Sequence, residues 1–165
     1  MDRKEKIIQL LNASEPVSAS TLAKQLSVSR QIIVGDVALL RASGTPIIST
    51  PRGYLLEGKT NSKLYKVAVN HTDSQMQDEL YTIVDLGGRI IDVIVEHPIY
   101  GELTGQLQIK SRYDVDCFVE EVKKSKSNPL SILTGGLHLH TIECDDKAIY
   151  ERIIQALKDK GYLYM

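Results

Sequence analysis

The stretch "SVSRQIIVGDVALLRAS" (residues 27–43) decides how the first third of this 165-residue chain folds. Ser27–Ser29 reads as a tight turn with Val28 as an apolar plug. Ser29 is a good N-cap for the helix that follows. Ile33, Val37 and Leu40 recur at i, i+4, i+7 and predict a core-facing stripe. Arg30, Gln31, Val34 and Arg41 fall on the other side. Upstream, Asp2 can cap a first helix with Ile7, Ile8 and Leu11 on one side, and Pro16 ends that segment. A short second helix, Ser20–Leu26, turns Leu22, Ala23 and Leu26 inward. Two short helices, a turn and a third helix with a polar first turn make a helix-turn-helix.

The chemistry of the free face suits DNA. Arg and Gln read guanine and adenine edges, and Val34 suits a thymine methyl group. The helix N-terminus at Ser29 attracts phosphate. Downstream, "PIIST" and "YLLEG" flank "PRG" (51–53), a β-hairpin that forms a wing with Arg52 at its tip. The expected DNA-contacting set is therefore Ser29, Arg30, Gln31, Val34 and Arg52. Gly35, inside the reading helix, costs about 1 kcal/mol relative to Ala. It either permits close approach to DNA or serves no purpose.

Charge divides the chain in the same place. Residues 1–62 hold 8 Lys/Arg and 5 Asp/Glu, a net +3; residues 63–165 hold 12 and 16, a net −4. The polar stretch "EGKTNSK" (57–63) is a natural linker. The expected organisation is a winged helix-turn-helix at 1–58, a linker at 59–63 and a second domain at 64–165. Cys117 and Cys144 form no CxxC pair and read as free thiols. The charged start "MDRKEKIIQLLNASEP" has no apolar signal-peptide core, and no apolar run is long enough to span a bilayer. A cytoplasmic protein with no membrane partner is expected.

The second domain reads as α+β. "KLYKVAVNH" alternates, with Tyr65, Val67, Val69 and His71 on one side. A helix follows with Met76, Leu80, Ile83 and Val84 inward and Glu79 at the edge of the buried stripe. "RIIDVIVEHP" is a strand with Ile91, Val93, Val95 and His97 on one face and Ile90 and Ile94 on the other. "GELTGQLQI" is its antiparallel partner. Ser111–Asp114 opens a further helix. A loop (125–136), a fourth strand "LHLHTIE" and a last helix with Ile149, Ile153 and Leu157 inward complete β-α-β-β-α-β-α. This order suits one four-stranded antiparallel sheet with helices on one face. The partly apolar other face is expected to be covered in a homodimer, the usual form of proteins that read palindromic DNA.

All four histidines, His71, His97, His138 and His140, fall in this second domain. His138 and His140 sit at strand spacing and point the same way. They are either ligands to an ion or two exposed polar residues alternating with core-facing Leu137 and Leu139. A third histidine and a carboxylate would complete an N₃O set suited to Zn²⁺, Ni²⁺ or Fe²⁺. Cys144 is a rival, but along a straight strand it lies about 13 Å beyond His140.

"VNHT" (69–72), Glu79, "VEHPIYGEL" (95–103) and "GGLHLHTIE" (135–143) stand in this order behind the helix-turn-helix. Together they resemble the three-histidine (3H) domain family of niacin-responsive repressors of NAD biosynthesis and niacin uptake genes. The N-terminal part also resembles the winged helix-turn-helix of biotin-responsive regulators. The resemblance covers essentially the whole chain. It implies one divalent transition metal (Ni, Zn or Fe) per chain held by His71, Glu79, His138 and His140, and an α+β sandwich resembling the phosphocarrier proteins. It also implies nicotinic acid as co-repressor, with His97 as an effector-site candidate, and a palindromic double-stranded DNA operator. Two other readings remain at this point. One is a regulator for which the metal itself is the signal. The other is a metal-dependent hydrolase with an appended DNA-binding module, although no HExxH, nucleophile elbow or phosphate loop is present and no enzyme is expected.

Overall fold

The structure is a computed structural model that describes residues 2–58, 63–125 and 136–165. The expected linker falls largely outside these residues, as does most of the loop expected at 125–136, including Gly135. The chain forms two compact units, Met1–Thr60 and Asn61–Met165.

The first unit has three helices, α1 (Arg3–Leu10), α2 (Ala19–Leu26) and α3 (Arg30–Ala42), then strands β1 (Ile47–Thr50) and β2 (Gly53–Leu56). Side chains cap each helix. Asp2 and Glu5 form a capping box on α1, Ser18 accepts from the Thr21 amide, and Ser29 accepts from the Ile32 amide at 3.2 Å. Ser27 takes the left-handed conformation that reverses the chain between α2 and α3. Ile7, Leu22, Ile33 and Val37 form the middle of the core.

β1 and β2 pair antiparallel around a two-residue turn, and Val17 forms an isolated bridge to Tyr54 through two hydrogen bonds. Gly53 is required there. Its φ is +138°, and a Cβ would stand 2.6 Å from the Val17 carbonyl. A partly exposed ion pair is also present: buried Asp36 on α3 accepts from the exposed Arg3, Nε at 2.5 Å and Nη2 at 3.2 Å. It fixes α1 against the reading helix.

The second unit runs β3 (Lys63–Asn70), a 3₁₀ turn (Asp73–Gln75), α4 (Met76–Asp85), β4 (Arg89–His97), β5 (Gly101–Ile109), α5 (Arg112–Lys124), β6 (Leu137–Cys144) and α6 (Lys147–Asp159). The sheet order is β3-β6-β4-β5, every pair antiparallel. One face of the sheet and all three helices share a core. It includes Val67, Val69, Leu80, Ile83, Val115, Val119, Ile142, Ile153 and Leu157.

The strict alternation expected for β4 does not hold. Both of its pairings slip between Ile90 and the residues after it, and Gln108 on β5 takes a φ of 51°. Such a bulge reverses which residues face the helices. Ile90 therefore joins the core, whereas Ile94 lies opposite Leu139. Ile94, Leu139, Leu137, Ala68 and Tyr164 line a cavity of about 270 Å³.

Candidate functional site

Four side chains converge under the helices. β6 supplies His138 and His140, whose strand partners on β3 are Val69 and Val67. His71 follows the end of β3, and Glu79 comes from the first turn of α4, whose approach is fixed by the Thr72–Gln75 capping box. The parity of β6 decides between the two readings of its histidines. His138 and His140 are buried on the helix side, while Leu137 and Leu139 are only half-buried on the other. The exposed-polar alternative is thus overturned.

The distances are short. Glu79 Oε1 lies 2.9 Å from His140 Nε2 and 3.7 Å from His138 Nε2. Glu79 Oε2 lies 3.5 Å from His71 Nε2, and the Nε2 atoms of His138 and His140 are 3.1 Å apart. Two donors bound to one ion at about 2.1 Å stand roughly 3–3.4 Å apart, and these separations bracket that range. Glu79, His71 and His138 form a compact potential ligand group, and His140 borders it through Glu79 and His138.

Each imidazole is oriented by a backbone carbonyl. His71 Nδ1 donates to the Thr72 carbonyl at 2.8 Å, His138 Nδ1 to Gly136 at 2.9 Å and His140 Nδ1 to Asp92 at 2.7 Å. This leaves every Nε2 facing the centre, the arrangement found around metal-ligating histidines. Gly136 is needed for it: φ is +97°, and a Cβ would stand 2.5 Å from the His71 carbonyl oxygen. The Asp92 carbonyl sits in the β4 irregularity, so the bulge aims an acceptor at His140.

Glu79 is fully buried, deeper than the stripe edge expected from its helical position. Despite the close nitrogens, neither of its oxygens makes a hydrogen bond of good geometry, and neither does His71 Nε2. A buried carboxylate without such partners is costly. Burial pushes the Glu79 carboxyl up, but the charge of His140 and the contacts with His138, His140 and His71 hold it well below the usual carboxylate range. Burial pulls all three imidazoles down. Glu79 outweighs this for His71 and His140, which end raised, but not for His138, which ends lowered. The donor set and its orphaned atoms fit a divalent transition metal.

Cys144 lies in the apolar core and outside this group. His97 also lies outside it. Its Nδ1 accepts the Ile99 and Tyr100 amides at 3.1 and 3.3 Å, and its ring packs on Tyr100, so it closes the β4–β5 turn.

In the first unit, Arg30 and Gln31 are exposed at the start of α3. Ser29 spends its oxygen as the cap. Val34, three residues before Val37, is half-buried against the core rather than free. The exposed face instead continues from Gln31 through Gly35, Ala38 and Ala42. Arg52, half-buried, lies in the β1–β2 turn, its amide donating to Thr50 Oγ1 at 3.2 Å. Sequence reasoning missed the Arg3–Asp36 pair. An Asp inside an apolar helical stripe was the available signal.

A helix-turn-helix ahead of a sheet domain with three converging histidines defines a class, and the comparisons agree with it. The HTH domain pattern matches residues 3–55 and the 3H domain pattern matches residues 65–165. The probable transcription repressor NiaR of Thermotoga maritima is 48% identical over 163 residues, covering 98% of this chain and 93% of that protein. The transcription repressor NadR of Bacillus subtilis is 35% identical over 165 residues, covering 98% and 92%. The chain belongs to the NiaR-type transcription repressors, built from an HTH domain and a 3H domain. Among the described residues no helix is long and apolar enough to cross a membrane.

Proposed function

We propose that the chain represses genes of NAD biosynthesis or niacin uptake, with nicotinic acid as co-repressor and one divalent transition metal (Ni, Zn or Fe) in its second unit. The observation that carries the metal reading is the fully buried Glu79 carboxylate facing three carbonyl-oriented imidazoles without a good hydrogen bond. His71, Glu79, His138 and His140 would hold the ion. The ion would supply a Lewis-acidic position for a carboxylate or pyridine nitrogen.

Exposed Arg30 and Gln31 would read base edges, and Ser29 and Arg52 would contact phosphates. The partly apolar outer face of the sheet supports a homodimer on a palindromic operator. The β3-β6-β4-β5 order supports the phosphocarrier-like description. The relatives' names support a regulator rather than an enzyme. For nicotinic acid to act as co-repressor it must favour the DNA-competent conformation. The test is operator binding by fluorescence anisotropy with and without nicotinic acid. Unchanged affinity at millimolar ligand overturns the niacin assignment.

A second reading rests on closure of the centre. The side chains of Glu79 and the three histidines are at most 3% exposed, as in sites that keep no open position. The metal would then itself be the signal. In that case chelation alone abolishes operator binding, and nicotinic acid has no effect.

A further inference from the structure

Two of the four ligand candidates, His71 and Glu79, come from different elements, and one residue touches both neighbourhoods. Tyr162 lies beyond α6 and is buried. Its ring packs edge-on against His71, with centroids 5.9 Å apart and planes at 69°. Its hydroxyl donates to Asp78 Oδ2 at 2.8 Å, and Asp78 immediately precedes Glu79 in α4. Lys160 Nζ reinforces the contact, donating to Asp78 at 3.1 and 3.3 Å and to Thr82 Oγ1 at 2.9 Å.

The backbone holds Tyr162 in this place. Its carbonyl accepts the Asn70 amide at 2.8 Å, Leu163 bridges Val69, and the Tyr164 amide donates to the Ala68 carbonyl at 2.9 Å. Residues 162–164 thus run beside β3, the strand that ends in front of His71. The segment is tied to the strand on one side and to α4 on the other.

We infer that Tyr162 is a positioning residue for the metal centre, setting the His71 ring directly and the first turn of α4, and hence Glu79, through Asp78. The inference rests on the metal reading above. The ring limits rotation of the imidazole, and the hydroxyl keeps α4 from sliding away from β3. A ligand set drawn from three elements gains affinity when such links hold the elements at their spacing.

The experiment uses Co²⁺ with the full chain, reading affinity by competition with a chelator and geometry by the visible ligand-field bands. Tyr162→Phe keeps the ring and deletes the link to Asp78, and Asp78→Asn weakens the same link from the other end. Each is expected to lower Co²⁺ affinity about tenfold and to shift the bands. The double variant is expected to be no weaker than the worse single one, because both remove one contact. Tyr162→Phe with affinity within twofold of wild type and superimposable bands overturns the assignment. So does a lower melting temperature with unchanged bands and affinity, the signature of a clamp that only stabilises. Wild-type protein that takes up no Co²⁺ overturns the metal reading itself and this inference with it.

Discussion

Glu79 Oε1 lies 2.9 Å from His140 Nε2, and both side chains are closed off from solvent. The contact joins the first turn of α4 to the middle of β6. Replacing the carboxylate by its isosteric amide removes the negative charge and leaves the volume. Glu79→Gln is therefore expected to fold and to bind Zn²⁺ or Ni²⁺ at least about 100-fold more weakly. Metal analysis after gel filtration checks this; equal content in the two proteins would refute the site. His138→Ala is expected to behave alike.

Metal binding acts on folding by mass action. A ligand at 100 times its Kd adds about 2.7 kcal/mol. Removing metal with a chelator is expected to lower the melting temperature of the second unit and to leave the first unit's transition in place. Calorimetry on the metal-loaded and chelated protein separates the two.

Asp36 and Arg3 give a pH dependence. The hydrogen bond from Arg3 lowers the Asp36 carboxyl below its ordinary value, against the opposing effect of burial. A depressed carboxylate stabilises the fold above its unfolded pKa, about 3.9, and the contribution fades as pH falls through the folded value. Wild type should therefore exceed Asp36→Asn in melting temperature by a constant margin at neutral pH. Below about pH 4 the margin should close. A margin that does not narrow as pH falls below about 4 would contradict the pairing.

Gly35 is solvent-exposed in mid-helix, and a Cβ there would meet nothing within 4 Å. Folding does not need this glycine. Gly35→Ala should stabilise the first unit by up to about 1 kcal/mol. Because the exposed stripe of α3 runs through Gln31, Gly35 and Ala38, the added methyl group should also weaken operator binding. Stabilisation with undiminished DNA affinity would place this stripe away from the DNA.

Arg30→Ala should cost about 1–3 kcal/mol of operator affinity and relax base preference at one position. Arg52→Ala should weaken binding to all sequences alike and flatten its salt dependence. Anisotropy titrations on operator and scrambled DNA at two salt concentrations distinguish the patterns.

The local signals in the sequence were strong where one period ruled. The turn at Ser27–Ser29, the stripe Ile33–Val37–Leu40 and the spacing of His138 and His140 all follow from helix or strand geometry. The sequence could not bring His71 and Glu79 to β6 by spacing, because that meeting depends on strand order. Strict alternation puts Ile90 on the outer face, whereas it lies in the core, because a bulge breaks the alternation and leaves no compositional mark. Helical spacing leaves Val34 on the free face, yet it is partly packed, because it stands at the shoulder of the buried stripe where one helical position separates exposed from packed. Gly136 is silent in sequence; its need appears only where the His71 carbonyl passes within 2.5 Å of its would-be Cβ.

β6 lies inside the sheet, hydrogen-bonded to β3 on one side and β4 on the other. His138 and His140 are thus held on a strand that is paired along both edges. β3 is an edge strand, and it is the first strand the chain enters after the DNA-reading unit. It ends one residue before His71. Of the four candidate ligands, His71 is thus the one carried at the sheet's margin, at the end of a strand eight residues long.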